Sequence, residues 1–380
     1  MKSSDLPKRV ALVYDWVNTP FGGAERVLLA LHKIFPDAPL YTSIYDRSVA
    51  KWAKVFDVRT SYLQEIPFAK QHHRELLPLM PSAFEHLDLS RYDLVISITS
   101  AEAKAVQVSP RALHLCYLLT PTRYLWSHTF EYQTGILKPI KAFVFSLLRR
   151  WDFKVAQKPT AFIPISRLVQ QRCEKYYRRK TLPVIYPPFS LNSQLPEKSS
   201  QFKGLSDYYI VVSRLVGYKK IELCIKACIS LKRKLLIIGD GPDDSKVSRL
   251  IEFLDPESQF IFWYERLSDA ELKQAYASSI ALLLPAEEDF GITALEAQAF
   301  GKPVLVFRHS GAAEVVKEGK SGIHFSHQTT NSLSTAMLEL EKKHWDSDVI
   351  KSLTSQYNEQ AFIEQFHETV LTAWNNHQKG

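Results

Sequence analysis

Short apolar runs recur along this chain, separated by longer stretches in which apolar residues fall at three- and four-residue spacing. The runs Val10–Tyr14, Leu94–Ile98, Leu113–Tyr117 and Ala161–Ile165 occupy the first half. Tyr209–Ser213, Lys234–Ile238, Phe260–Trp263, Ala281–Leu284 and Pro303–Val306 occupy the second. Apolar runs alternating with helical patterns predict parallel sheets in an α/β fold. In such sheets ligands sit beyond the carboxyl ends of the strands, so the residues just after each run are the ones to inspect.

Between the two sets lies a Pro/Ser-rich stretch, 186–204, the one convincing linker. It predicts an N-terminal Rossmann-like domain over 1–190 and a second over 205–350. Residues 351–380 follow as a helical segment that could pack on either domain. A chain of 380 residues is long enough for two cores. It has no apolar run of the ~20 residues a membrane span needs, and its first residues lack the pattern of a signal peptide. Cys116, Cys173, Cys224 and Cys228 have no cluster of His or Cys around them to complete a zinc site, and read as reduced core thiols of a cytoplasmic protein.

The strand ends carry the chemistry. Tyr209–Ser213 delivers Arg214, with Lys219 five residues on, a planar fork and a point charge suited to a diphosphate. The next run ends in Ile238-Gly-Asp-Gly-Pro242, a turn that lets backbone approach a ligand. After Ala281–Leu284 come Glu287, Glu288 and Asp289, then Phe290-Gly291 and an apolar-periodic helix closed by Gly301-Lys302-Pro303. A helix N-terminus binds anions, and carboxylates such as Glu288 and Glu296, the latter expected about two turns inside the helix, accept strong hydrogen bonds from hydroxyls. Phosphates plus hydroxyls describe a nucleotide sugar. The bland alternative is that the three acids only complement the helix dipole. A dehydrogenase is disfavoured, because no Gly-x-Gly-x-x-Gly follows the first run. The net charge of +8 comes without a recognised nucleic-acid motif, so no nucleic-acid partner is expected.

In order, SRLVGYKK, IGDGP and PAEEDFGI…EA resemble retaining glycosyltransferases of family 4, especially the mannosyltransferase-like branch. The likeness runs from about Val10 to about residue 340 and includes GGAERV at 22–27, YDLVIS at 92–97 and TPTRYLW at 120–126. It implies the GT-B architecture, two Rossmann-like doubly wound domains facing an interdomain cleft, with a C-terminal helix that crosses back. It implies a catalytic set of Glu288, Arg214 and Lys219, with the two cations on the donor diphosphate and Glu288 on the transferred sugar. The backbone of Phe290, Gly291 and Ile292 would approach sugar and phosphates, Glu296 the ribose, and Arg266 and Leu267 the base. Gly22 and Gly23 would approach the donor phosphate and the acceptor, and Gly239 belongs to the donor-binding turn. Asp15, Arg123 and Tyr124 are the acceptor-side candidates.

The chain departs from the branch at Leu119, where a His facing the sugar is usual, and at Ser127, Glu265 and Ser310. His114, earlier on the same run, reads as a strand histidine with a local partner. His128 lies nearer the expected cleft. Retaining transfer in this family is thought to need no protein nucleophile, because the leaving diphosphate can take the acceptor proton while the protein stabilises charge. No cofactor or metal is expected: Asp346-Ser347-Asp348 has the spelling of a metal motif but sits in a charged C-terminal segment.

The expected reaction is transfer of a hexose, mannose from GDP-mannose first, to a glycan or polyprenyl-diphosphate-linked saccharide. The alternatives are a UDP-sugar donor in the same fold, and a nucleotide-sugar-binding paralogue with little turnover, for which Leu119 is the argument. The stretch Leu137–Trp151, with Lys138, Lys141, Arg149 and Arg150, reads either as a membrane-interface helix or as a packed helix with a solvated basic face. Lys70, His72, His73 and Arg74 add basic residues to the acceptor domain, so the inner face of the cell membrane is the expected peripheral location.

Overall fold

The computed structural model describes residues 6–71, 75–127, 129, 138–190 and 205–379. His72, His73, Arg74 and His128 lie outside the described residues, as does most of the expected linker. The chain divides into two compact units, residues 1–188 with 359–380, and residues 189–358.

In the first unit β1 (Val10–Tyr14), β2 (Leu40–Thr42), β3 (Val58–Thr60), β5 (Leu94–Thr99), β7 (Leu113–Leu118) and β8 (Ala161–Pro164) form a six-stranded sheet in the order β3-β2-β1-β5-β7-β8. Every pairing is parallel. Two two-residue strands, β4 (Asp88–Leu89) and β6 (Gln107–Val108), pair separately. The helices are α1 (Gly23–Ile34), α2 (Met80–Glu85), α3 (Lys138–Val155) and α4 (Arg167–Tyr177). β1, β5 and β7 are buried along their whole length, which is why they read as unbroken apolar runs rather than alternating ones. β2 and β3 are three residues each, too short to leave such a run.

The second unit repeats the plan. β9 (Tyr208–Val212), β10 (Lys234–Ile238), β11 (Ile261–Tyr264), β12 (Leu282–Leu284), β13 (Val304–Phe307) and β14 (Gly322–Phe325) are parallel in the order β11-β10-β9-β12-β13-β14. Its helices are α5 (Ile221–Leu231), α6 (Asp244–Leu254), α7 (Asp269–Ser278), α8 (Ile292–Ala299), α9 (Ala312–Val315), α10 (Thr330–Glu341) and α11 (Ser347–Ser352). Ser268 opens α7 with a full capping box to Glu271. Asp346 caps α11 by accepting from the backbone N–H groups of Asp348 and Val349, so the Asp-Ser-Asp spelling is a helix cap. All four cysteines are buried and unpaired, with Cys224 and Cys228 inside the second core.

The closing segment divides at residue 358. α11 stays with the second unit, whereas α12 (Glu359–His377) belongs to the first. Phe362 and Phe366 of α12 pack edge-on against Tyr117 of β7, at 5.9 and 5.8 Å between ring centroids. Glu359 pairs with Lys33 at the end of α1. The separate segment expected at 351–380 is therefore two pieces, one in each core.

Candidate donor site

In each unit, consecutive strands run one way from the first and then reverse, which opens a crevice at the carboxyl ends on either side of the reversal. In the second unit that switch point lies between β9 and β12. The loop after β9 carries Arg214, which is exposed, and then a single 3-10 turn, Gly217–Lys219. Lys220 follows with φ +56° and starts α5, so Lys219 is presented at the mouth of the sheet. Its ammonium lies 2.5 and 2.6 Å from the two carboxylate oxygens of Glu288. Both side chains keep about a sixth of their surface open, 17% and 16%.

Glu288 is itself pinned. Its N–H donates to the Ser310 hydroxyl at 3.0 Å, and its carbonyl accepts from the Gly311 N–H at 2.7 Å. A side chain at 311 would lie 2.0 Å from the Asp289 carbonyl, so the approach requires glycine. Gly291 stands before α8 with φ +84°, and a Cβ there would lie 2.3 Å from that of Ala312. These close approaches set the acidic loop against the N-terminus of α8, whose first backbone N–H groups lack helical partners. The Phe290 ring is buried and packs against Tyr357, leaving the backbone of 290–292 as the part at the helix entry.

The turns after β9 and β10 are knitted together: Leu215 N–H donates to Asp240 and Asp243 N–H to Leu215. Gly239 has φ +143°, and a Cβ there would meet the Ser213 carbonyl at 1.9 Å. At the end of β11, Arg266 is largely exposed and makes an ion pair with Asp240 at 2.9 Å, beside the half-buried Leu267. Glu296 lies one turn into α8, not two, because the helix begins at Ile292. Its carboxylate accepts from the Tyr276 hydroxyl at 3.0 Å, and Tyr276 stacks on Phe300. The structure thus gathers Arg214, Lys219, Gly239, Arg266, Leu267, Glu288, Gly291 and Ile292 at one end of one sheet. Asp240 belongs to the IGDGP turn, whereas Tyr276 carries no motif in the sequence and Ser310 stands out there only as a departure from glycine.

The acceptor-side candidates lie in the first unit and are more deeply committed. Asp15, at the end of β1, is 1% exposed. One of its oxygens accepts from the Thr99 hydroxyl at 2.6 Å and the Ala103 N–H at 2.8 Å, the other from the Ser100 N–H at 2.8 Å. Asp15 is therefore an anchor for the turn after β5. The Tyr124 hydroxyl donates to Glu102. Arg123 is half-buried, and its carbonyl accepts from Trp126 and Ser127 N–H groups. Gly22 precedes α1, and Gly23 is its first residue. The Glu25 carboxylate occupies the space beside Gly22 and accepts from the Tyr14 and Thr19 hydroxyls, both at 3.1 Å. Burial pushes the Glu25 carboxyl above its ordinary range. His114 is buried with Nε2 at 2.9 Å from the Ser97 hydroxyl, and burial pulls its pKa down to about 3. It is a core residue. Among the described residues no group of three His, Cys, Asp or Glu is placed to hold a metal ion.

Residues 195–359 match the family "Glycosyl transferases group 1". The chain is 31% identical over 152 residues to a GDP-mannose-dependent alpha-(1-6)-phosphatidylinositol monomannoside mannosyltransferase of Mycolicibacterium smegmatis, covering 36% of this chain and 40% of the relative. It is 25% identical over 177 residues to the N-acetyl-alpha-D-glucosaminyl L-malate synthase of Bacillus anthracis, covering 45% of each. The chain thus spans less than half the length of either relative. Among solved structures, Anabaena HepE in complex with UDP and glucose superposes with a TM-score of 0.69 at 19% identity over 96% of this chain and all of that one. Sucrose-phosphate synthase from Thermosynechococcus elongatus gives 0.70 at 15% identity over 97% and 100%. At these identities the likeness speaks for the fold, the two-domain parallel α/β fold of GT-B glycosyltransferases. Within that fold, the second unit carries the match to the glycosyl transferase group 1 family.

Proposed function

We propose that this chain is a retaining glycosyltransferase that moves a hexose from a nucleotide sugar to a glycan or lipid-linked saccharide, with GDP-mannose as donor. The observation that carries the reading is the Lys219–Glu288 pair at the switch point of the second unit, beside the entry to α8. In the ligand-free chain Lys219 is neutralised by Glu288. A donor diphosphate competes for the same ammonium, with Arg214 as the second cation, and frees the Glu288 carboxylate to accept from sugar hydroxyls. Glu296, oriented by Tyr276, accepts from the ribose. Arg266 and Leu267 flank the base. As the glycosidic bond breaks, Arg214 and Lys219 stabilise the charge growing on the leaving diphosphate, whose oxygen takes the acceptor proton. With two cations assigned to that charge, the reaction as read here needs no metal.

A UDP-sugar is the second reading, favoured by the UDP and UDP-glucose complexes of HepE. Calorimetric titration with GDP and with UDP separates the two. Binding of GDP with little for UDP is the expected outcome; the reverse replaces the mannosyl donor with a UDP-sugar, and silence from both removes the donor site.

A lipid-linked acceptor at the inner face of the membrane is the matching proposal for the partner. α3 turns Phe143 and Leu147 outward, 66% and 49% exposed, in line with exposed Arg150 and Lys154. Arg149 is not part of that face: its Nε donates to the Leu125 carbonyl at 2.8 Å and its guanidinium lies over Trp126. Arg150→Glu is therefore expected to reduce sedimentation with anionic liposomes, and unchanged sedimentation would remove the membrane from the proposal. No helix among the described residues is long and apolar enough to cross a membrane.

A further inference from the structure

The switch point of the first unit, between the ends of β1 and β5, holds a buried group for which transfer chemistry has no use. Glu102 is 2% exposed. One carboxylate oxygen takes the Tyr124 hydroxyl, while the other is buried with no hydrogen-bond partner among the described residues. The charged groups around it are Asp15 from β1, Lys104 on its own turn, Tyr124 from the 120–127 arm, and Asp152 from α3. Tyr177 from α4 faces Lys104 at 5.5 Å.

These groups do not balance with every carboxylate ionised. Lys104 is paired with Asp152 at 2.6 Å, both 1% exposed. Asp15 accepts from a hydroxyl and two backbone N–H groups. Glu102 has neither a cation of its own nor backbone donors, and a buried carboxylate in that position is expected to hold its proton. Burial, then the charge of Asp15, push its pKa up to about 8.

The arm beyond it depends on the same cluster. Asp152 accepts from the Thr122 hydroxyl at 2.9 Å and the Trp126 indole at 2.7 Å. Tyr124, between these two, is held by Glu102. We propose that Glu102, as the neutral acid, is a positioning residue that latches the 120–127 arm through Tyr124, and that its ionisation releases the arm. The inference rests on the functional reading above only in treating this arm, with Arg123, as acceptor-side. Once Glu102 carries a charge, the Tyr124 hydroxyl bonds it more strongly, but burial and the two neighbouring carboxylates outweigh that bond, and opening toward water is the relief.

The test is amide hydrogen exchange of the peptide spanning 119–127 in the full chain, wild type against Glu102→Gln, from pH 6.5 to 9.5. Comparing the two at one pH cancels the intrinsic rate. The ratio of wild-type to variant exchange is expected to climb at least tenfold as pH rises from 6.5 and to level off above about 8, where the closed form also loses its proton. Tyr124→Phe, which keeps the ring, is expected to exchange faster at every pH and to lack the step. In turnover, the wild-type KM for acceptor rises over the same range while kcat changes little, and Glu102→Gln stays flat. A ratio that does not move with pH, or a step that survives in Glu102→Gln, overturns the latch. A step in exchange with no transfer activity would sink the glycosyltransferase reading and leave the latch standing.

Discussion

At the switch point of the first unit, between β1 and β5, Asp15, Thr99, Glu102 and Lys104 are each at most 2% exposed and are bonded to one another, to backbone or to the neighbouring arm. At the switch point of the second unit, between β9 and β12, Arg214 stands in water and the Lys219–Glu288 pair is partly open. The strand order is the same in both. One topology therefore builds two different devices. Charge taken fully out of water must be paired or neutralised inside the protein, so the first cluster is committed to holding its own turns. Charge left at a wet rim keeps much of its hydration, and a ligand can replace its partner at modest cost.

That contrast breaks first at Lys104. Lys104→Ala leaves Asp152 buried without its cation, and denaturant unfolding of the full chain is expected to show a loss of about 3–5 kcal/mol. A loss within 1 kcal/mol would make the first switch point no more closed than the second. In the open site the effect moves from stability to activity. Glu288→Ala is expected to lower kcat by roughly 10²–10³-fold, the scale of one lost charge-stabilising contact, with a thermal midpoint shifted by no more than a few degrees. Normal transfer by that variant would remove Glu288 from the site.

Smaller effects sharpen the comparison. Tyr276→Phe frees Glu296 from its orienting hydroxyl, and nucleotide affinity read by calorimetry is expected to fall by about 0.5–1.5 kcal/mol. An unchanged affinity would place the ribose elsewhere. In the first unit, His114 is held neutral by burial, with its pKa lowered from 6.5 to about 3. The unfolded chain then binds the extra proton through that window, so stability attributable to His114 is whole above pH 6.5 and declines as pH falls toward 3. His114→Gln is expected to flatten that part of the midpoint-against-pH curve, and a parallel curve would show that His114 titrates freely.

Much of the second unit is legible because its strands and candidate residues are local in the chain. Lys234–Ile238 and Val10–Tyr14 were placed to the residue, and Arg214, Lys219, Gly239 and Glu288 follow apolar runs that the eye can find. β14 escaped because Gly322 and His324 interrupt its apolar pattern. The role of Ser310 is hidden because it is a hydrogen bond to residue 288, across a helix and a strand. The bonds of Asp15 are hidden for the same reason: a carboxylate at a strand end has the same spelling whether it faces a ligand or a turn more than eighty residues away.

By itself, the sequence determined the alternation of strand and helix, the two-domain division and the order of the motifs at the strand ends, since each depends on residues near one another in the chain. Tertiary structure decided which charges are closed and which are open. It sent α12 to the first core, bound Asp15 to the turn after β5, paired Lys219 with Glu288 and left Glu102 without a cation. The physical reason is that a charge is defined by its solvent and its partners, and both are assigned only when distant segments pack.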